Sequence, residues 1–151
     1  MGSRDDILRA VRAQTLPDKP APSLEQAWIR YDDRRGQFAT VLASVGGRCE
    51  YVADGAEAAR KLAEHPAYGA AKRVASFAPE ITPGNVDLAT IDDPHALEDV
   101  DFAILRGEIA VAENGAVWVT DAGVRHRALY FIAQHLVLVV PAAALVDNMP
   151  Q

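Results

Sequence analysis

The feature that most constrains this chain is the run DFAILRGEIAVAENGAVWVTDAGVRHRALYFIAQHLVLVVP, residues 101–141. Ile109 and Val111 alternate with smaller neighbours, Asn114-Gly115 comes next, and Val117 and Val119 alternate again. Period-two patterning on both sides of an Asn-Gly pair predicts a β-hairpin, because these two residues tolerate the backbone angles of a tight turn. Phe102 to Leu105 precedes it as a buried-strand candidate. Beyond it, Asp121-Ala122-Gly123 predicts a turn, and Arg125 to Gln134 a helix with Ala128, Leu129 and Ile132 on one face. His135 to Val140 reads as a buried strand that Pro141 stops.

Upstream, helical and extended signals alternate. Ser3-Arg4-Asp5-Asp6 begins a helix with a hydroxyl cap and acids in its first turn, and Ile7, Leu8 and Val11 form its apolar stripe. Pro17, Pro20 and Pro22 predict an extended linker. Residues 1–22 therefore read as a helical arm that docks loosely or onto a partner, and residues 23–151 as one α/β domain. Trp28 and Tyr31 are candidate anchors for that arm. Phe38, Val41, Leu42 and Val45 recur at helical spacing before Gly46-Gly47. Arg48 to Ala53 predicts a short strand, and Asp54-Gly55 opens an alanine-rich helix ending at His65-Pro66. Arg73 to Phe77 and Val86 to Ile91 predict two further strands, Asp93-Pro94 a short helical turn, and Ala142 to Met149 a last helix. Helices alternating with short strands point to an α/β fold with a mostly parallel sheet.

Composition narrows the function classes. With 151 residues, 50% of them hydrophobic and 24% charged, the chain can bury a real core. A net charge of −6 argues against a general nucleic-acid binder. No apolar run approaches the roughly 20 residues that cross a bilayer. The acidic start lacks the positive flank of a signal peptide, so a cytoplasmic protein without a membrane segment is expected. The single Cys49 excludes a disulfide within the chain and any site made of cysteines alone, and it reads as a small core residue.

Two groups of residues carry chemistry. Glu113 beside the Asn-Gly turn can be held by backbone N–H groups and presented as a nucleophile or general base, or it is a solvated hairpin residue. Arg125-His126-Arg127 puts two guanidiniums at a predicted helix start, where the helix dipole favours anions. A bound phosphate or carboxylate would offset that conflict; ion pairs to Asp121 or Glu113 would do so equally. Asn114, Gly115 and Thr120 complete the candidate ligand-binding set. His126 and His135 lie nine positions apart, which is not the spacing of a helical zinc motif, so no metal and no cofactor are expected. His135 reads as a satisfied structural histidine, and His65 and His95 as surface residues. Gly46-Gly47 and Asp54-Gly55 lack the spacing of a phosphate-binding loop and read as turns.

The amino-terminal SRDDILRAVRAQ, the proline linker and above all residues 101–141 resemble the LUD domain family, in its lactate utilisation protein C group. The family's central motif has an apolar strand, a glutamate with a small turn, a second strand, an Arg-rich helix and a buried strand. These correspond to Ile109 to Ala112, Glu113 to Gly115, Ala116 to Thr120, Arg125 to Gln134 and Leu136 to Val140. Many relatives carry Glu-Thr-Gly where this chain has Glu113-Asn114-Gly115. The resemblance implies a three-layer α/β/α fold similar to the ribose-phosphate isomerase and CoA-transferase group. It also implies a role in oxidising L-lactate to pyruvate with iron–sulfur oxidoreductase subunits as partners. In similar CoA transferases a Glu-Asn-Gly triplet carries the catalytic glutamate, which maps onto Glu113. Typical relatives continue after the Ala142 helix with a Ser-Gly-Pro-Ser turn and a Gly-x-His-Gly-Pro segment. Neither is present here, which implies a member shortened at its carboxyl end, or a sheet completed by a partner chain in a homo-oligomer.

Three functions are compatible with these residues: an accessory subunit of lactate oxidation that binds a small carboxylate or phosphate, a CoA-transferase or thioester-hydrolase-like enzyme using Glu113, and a structural oligomer-forming protein.

Overall fold

The computed structural model describes residues 3–14, 20–23 and 25–149. Among the described residues, six strands fall into two small sheets. The first contains β1 (Val74–Ser76), β2 (Phe102–Arg106) and β5 (His135–Val139) in the order β1-β2-β5, all parallel. The second contains β3 (Ile109–Val111), β4 (Ala116–Trp118) and β6 (Leu145–Val146) in the order β4-β3-β6. In it the β3–β4 hairpin is antiparallel and β3–β6 is parallel. With helices α1 (Ser3–Ala13), α2 (Arg34–Ser44), α3 (Gly55–Ala63), α4 (Pro66–Ala70) and α5 (Leu129–Ile132), this is the expected α/β fold with mostly parallel pairing. No helix among the described residues is long and apolar enough to cross a membrane.

The central strand β2 shows why the first sheet is buried on both faces. Phe102 and Ile104 point into one cluster with Val74, Ala78 and the α3–α4 residues Leu62 and Tyr68. Ala103 and Leu105 point the other way, into a cluster with Ala75, Leu97, Val100 and Leu129. A strand flanked by parallel neighbours and covered on both sides must be apolar at every position, which FAIL supplies. At Gly107 the chain passes from one sheet to the other: its N–H still bonds Val139 (3.0 Å), while the Glu108 N–H bonds Trp118 (2.8 Å). A side chain at Gly107 would strike Val117 and Val140, so only glycine fits the junction. A third cluster, Phe38, Ala110, Ala112 and Leu145, seats α2 on the second sheet.

Local signals set several helix ends. Asp33 caps α2 by accepting from the Gly36 N–H (2.9 Å), and Gly46 lies beyond its far end at φ +84°. Asp54 accepts from the Glu57 N–H and caps α3, while Glu57 reaches back to the N–H of Ala53, the residue before the cap, both 2.8 Å. Asp93 caps the 3₁₀ turn Pro94–Leu97.

Five expectations are corrected. Arg48 to Ala53 is not a strand: it finds no sheet to pair with, and its polar side chains form ion pairs instead, Arg48 and Lys61 both to Glu50. Val86 to Ile91 is a loop, because it turns at Thr90 N–H to Asp87 (3.3 Å) while Val86, Leu88 and Ile91 still pack on the core. Helix shrinks to Leu129–Ile132 within 125–134, since burial of His126 and Leu129 pulls the preceding residues into turns. Ala142 to Met149 forms a 3₁₀ turn and then β6, because residues 146–147 pair with Ala112 and Glu113. β5 is an edge strand and only half-buried, with Leu136 41% exposed.

The expected arm is described as α1, none of whose residues is buried. Pro17 and the rest of residues 15–19 lie outside the described residues.

Candidate functional site

The Glu113 turn is tighter and better anchored than a free hairpin end. Val111 pairs with Ala116, leaving the four-residue loop Ala112–Gly115, closed by the Gly115 N–H to Val111 (3.0 Å). Gly115 takes the positive φ (+69°), while Asn114 keeps a negative one and its Oδ1 accepts from the Ala116 N–H (3.0 Å). The Asn-Gly signal therefore marked the hairpin, but the turn is the longer type with a single left-handed glycine. An added Cβ at Gly115 would stand 3.3 Å from the Leu42 backbone nitrogen, so the turn rests directly on α2.

Its other side is tied to residues 145–148. The Ala112 and Glu113 N–H groups donate to Val146 (2.9 Å) and Asp147 (3.0 Å). Asp147, 1% exposed, accepts from the Tyr31 N–H (3.2 Å) and from Arg34 Nε (3.0 Å). Arg30 lies 3.9 Å from its other oxygen. Burial pushes the Asp147 carboxyl up, but the Tyr31 N–H and the two guanidiniums outweigh it and hold the group below its ordinary value. Arg34 also donates to the Leu145 carbonyl (2.9 Å), and Asn148 Nδ2 to that of Ile29 (2.7 Å). The Glu113 side chain is exposed. A carboxylate in water thus stands on a backbone tied to a buried aspartate, whose two arginine partners stay partly in solvent. Sequence reasoning missed Asp147, Arg34 and Asn148: partners more than a hundred positions apart leave no local pattern.

The arginine cluster belongs to another neighbourhood. Gly123 (φ +76°) and the Val124 N–H to Asp121 bond (3.0 Å) turn the chain into it. Arg125 donates to the Ala89 carbonyl (2.7 Å) and to Asp92 (2.5 Å), and Arg127 stands 3.5 Å from Asp121. His126 is buried with Nε2 2.8 Å from the Ile91 carbonyl, so it fastens the 89–92 loop. Thr120 bridges the two regions: its carbonyl accepts from Tyr130 OH (3.0 Å) and its hydroxyl donates to Glu108 (3.4 Å). Both arginines reach partners other than Glu113. Arg125 also lies four residues ahead of a four-residue helix, so the helix-terminus argument for an anion there does not apply.

Among the described residues no cluster of His, Cys, Asp and Glu can hold a metal. His135 stacks on Phe102 with centroids 4.5 Å apart. His65 corrects the surface expectation: it packs edge-on to Phe102 and His135, and its Nδ1 is buried without a partner. His95 is exposed beside Asp93.

Beneath the second sheet lies a cavity of about 410 Å³, lined by Phe38, Leu42, Cys49, Val117, Leu136 and Leu138 among others. Burial pushes the Cys49 thiol up, and burial with the neighbouring Cys49 pushes the Tyr51 phenol to about 12.

A family model described as the LUD domain matches residues 36–151. No curated protein and no solved structure matches the chain.

Proposed function

The chain belongs to the LUD domain family, and from that premise we propose that it is an accessory component of L-lactate utilisation that binds a small carboxylate or phosphate. It would act beside iron–sulfur oxidoreductase subunits that carry out the oxidation of lactate to pyruvate. The observation that carries this reading is the family match across most of the chain. The ligand is assigned to Arg125 and Arg127, with Thr120 and the turn Glu113-Asn114-Gly115 nearby in sequence. Arg125 uses only part of its guanidinium on Ala89 and Asp92, and Arg127 is held by one long contact, so both keep donors for an anion.

Reconstitution tests the role. Lactate-dependent reduction of an artificial electron acceptor by the iron–sulfur subunits should rise when this chain is added; an unchanged rate refutes it. Calorimetry with lactate, pyruvate and inorganic phosphate tests the site. Arg125→Ala with Arg127→Ala should abolish binding, and unaltered binding removes these residues from it.

The anchored, exposed carboxylate favours a second reading, an acyl-CoA enzyme. The Glu113 carboxylate would attack the thioester carbonyl, forming an acyl-glutamyl anhydride and releasing the CoA thiolate. Water would then hydrolyse the anhydride, or the thiolate would attack its glutamyl carbonyl, releasing the first acid and leaving a glutamyl-CoA thioester that hands CoA to a second carboxylate. Glu113→Gln must eliminate any such turnover; persistence of turnover excludes the nucleophile.

A further inference from the structure

Phe102, at the start of the central strand β2, carries two histidines. His135 stacks on it with ring centroids 4.5 Å apart, and His65 stands edge-on to both, 6.0 Å from Phe102 and 5.9 Å from His135. Tyr68 meets the same phenyl ring edge-on at 5.2 Å. His65 is also the residue at which α3 turns into α4. Its N–H donates to Leu62 (3.0 Å), and its carbonyl accepts from Tyr68 (2.9 Å) and Gly69 (3.3 Å). One aromatic cluster therefore holds the α3–α4 corner on the sheet.

The His65 ring is poorly supplied for a charge. Its Nδ1 is buried and finds no hydrogen-bond partner among the described residues. A bare ring nitrogen there leaves one bond unmade. A protonated one adds an unpaired N–H and a positive charge beside Phe102 and the apolar cluster that Leu62, Ala67 and Tyr68 join. The charged and titratable groups nearby are engaged elsewhere. On α3, Glu64 reaches Arg60 (3.5 Å) and Lys61 reaches Glu50 (3.7 Å). On α4, the Tyr68 hydroxyl donates to Thr82 (3.2 Å). Ahead of β2, Asp101 accepts from the backbone N–H groups of Arg73 (2.9 Å) and Lys72 (2.7 Å), which hold its carboxyl below its ordinary value. The charges of Lys72 and His135 act on Asp101 in the same direction, so its carboxylate is felt at His135. A proton on each imidazole would set two cations 5.9 Å apart.

We infer that His65 and His135 form an acid-sensitive latch, which holds the α3–α4 corner on β2 while both rings are neutral and releases it when they take up protons. The closed corner accommodates an uncharged His65, whereas the open one lets water solvate the charged ring, so opening is coupled to proton uptake. Histidine gains its charge as pH falls through about 6.5, so the corner is held above that pH and loosens below it. Opening bares Phe102 and Tyr68 and leaves the Glu113 hairpin in place. The other two histidines stand outside the latch: His126 Nε2 lies 2.8 Å from the Ile91 carbonyl, and His95 is exposed beside Asp93.

Amide exchange reads the latch, because the N–H groups of Tyr68, Gly69 and Ala71 make the bonds that close the corner. Corrected for the intrinsic effect of pH, their opening should grow roughly tenfold per pH unit below about pH 6, the slope for one proton taken up. The Phe131 and Ile132 amides of α5 should not follow. His65→Phe keeps an aromatic edge against Phe102 and removes the proton, so it should flatten the response. His135→Phe should lessen it, and His95→Gln should leave it intact. The comparison of the corner with α5 needs no substitution and stands even where a variant fails to fold. Corner opening that is independent of pH, an α5 that opens in step with the corner, or an undiminished acid response in either phenylalanine variant overturns the latch.

Discussion

The two turns that flank β4 differ in how they are held. The Glu113 turn rests on α2 through Gly115 and on residues 146–147 through two backbone bonds, with the buried Asp147 and its partly exposed partner Arg34 behind it. The Arg125–Arg127 turn is fastened by one buried imidazole and one buried leucine, and its charges are paired only at the surface. A buried carboxylate needs its partners, whereas an exposed pair contributes little to stability. One turn is therefore rigid with its functional group in water, and the other is anchored by its apolar residues while its charges stay adaptable.

The largest expected effect breaks the second turn. Leu129 is fully buried, and Leu129→Ala should cost about 2–5 kcal/mol by urea unfolding. Amide exchange should accelerate at 129–132 well before it does at Glu113; uniform acceleration would show the turns to be one unit. Next comes the charged pair behind the first turn. The folded Asp147 carboxyl sits below its ordinary value, so its contribution is full above about pH 4 and fades as pH falls through the lower folded value. Asp147→Asn should destabilise the protein near neutral pH, and the difference from the unaltered protein should shrink in acid. A pH-independent difference would refute the linkage.

A paired glycine experiment sharpens the contrast further. Gly115 and Gly123 both have positive φ, but a Cβ at Gly115 meets the Leu42 backbone and one at Gly123 meets nothing. Gly123→Ala should cost about 1 kcal/mol for its backbone conformation alone, and Gly115→Ala about 2 kcal/mol or more. Equal costs would mean that the first turn does not press on α2. The smallest effect is Arg125→Ala with Arg127→Ala, which should leave the unfolding midpoint within error while removing anion binding.

Much of this was legible where the cause is local. Asp54 opens and caps α3, Asp93 caps the 3₁₀ turn at Pro94, and FAIL and the alternation of Ile109 and Val111 marked β2 and β3. Failures came where a partner distant in sequence decides. Residues 48–53 have strand-like alternation but no neighbour to bond, and residues 142–149 look helical until β3 takes 145–146 into its sheet. The candidate site divides along the same line: Glu113 on its hairpin was readable, whereas the network of Tyr31, Arg34, Asp147 and Asn148 was not.

By itself, then, the sequence determined the α/β class, the hairpin, its exposed glutamate and the family, because periodicity, capping and turn chemistry act over a few residues. The tertiary structure alone decided that the arginines turn toward Ala89, Asp92 and Asp121, and that a buried aspartate steadies the Glu113 turn. Hydrogen-bond and ion-pair partners are chosen by proximity in space, and burial makes the choice binding by making every unmade bond costly.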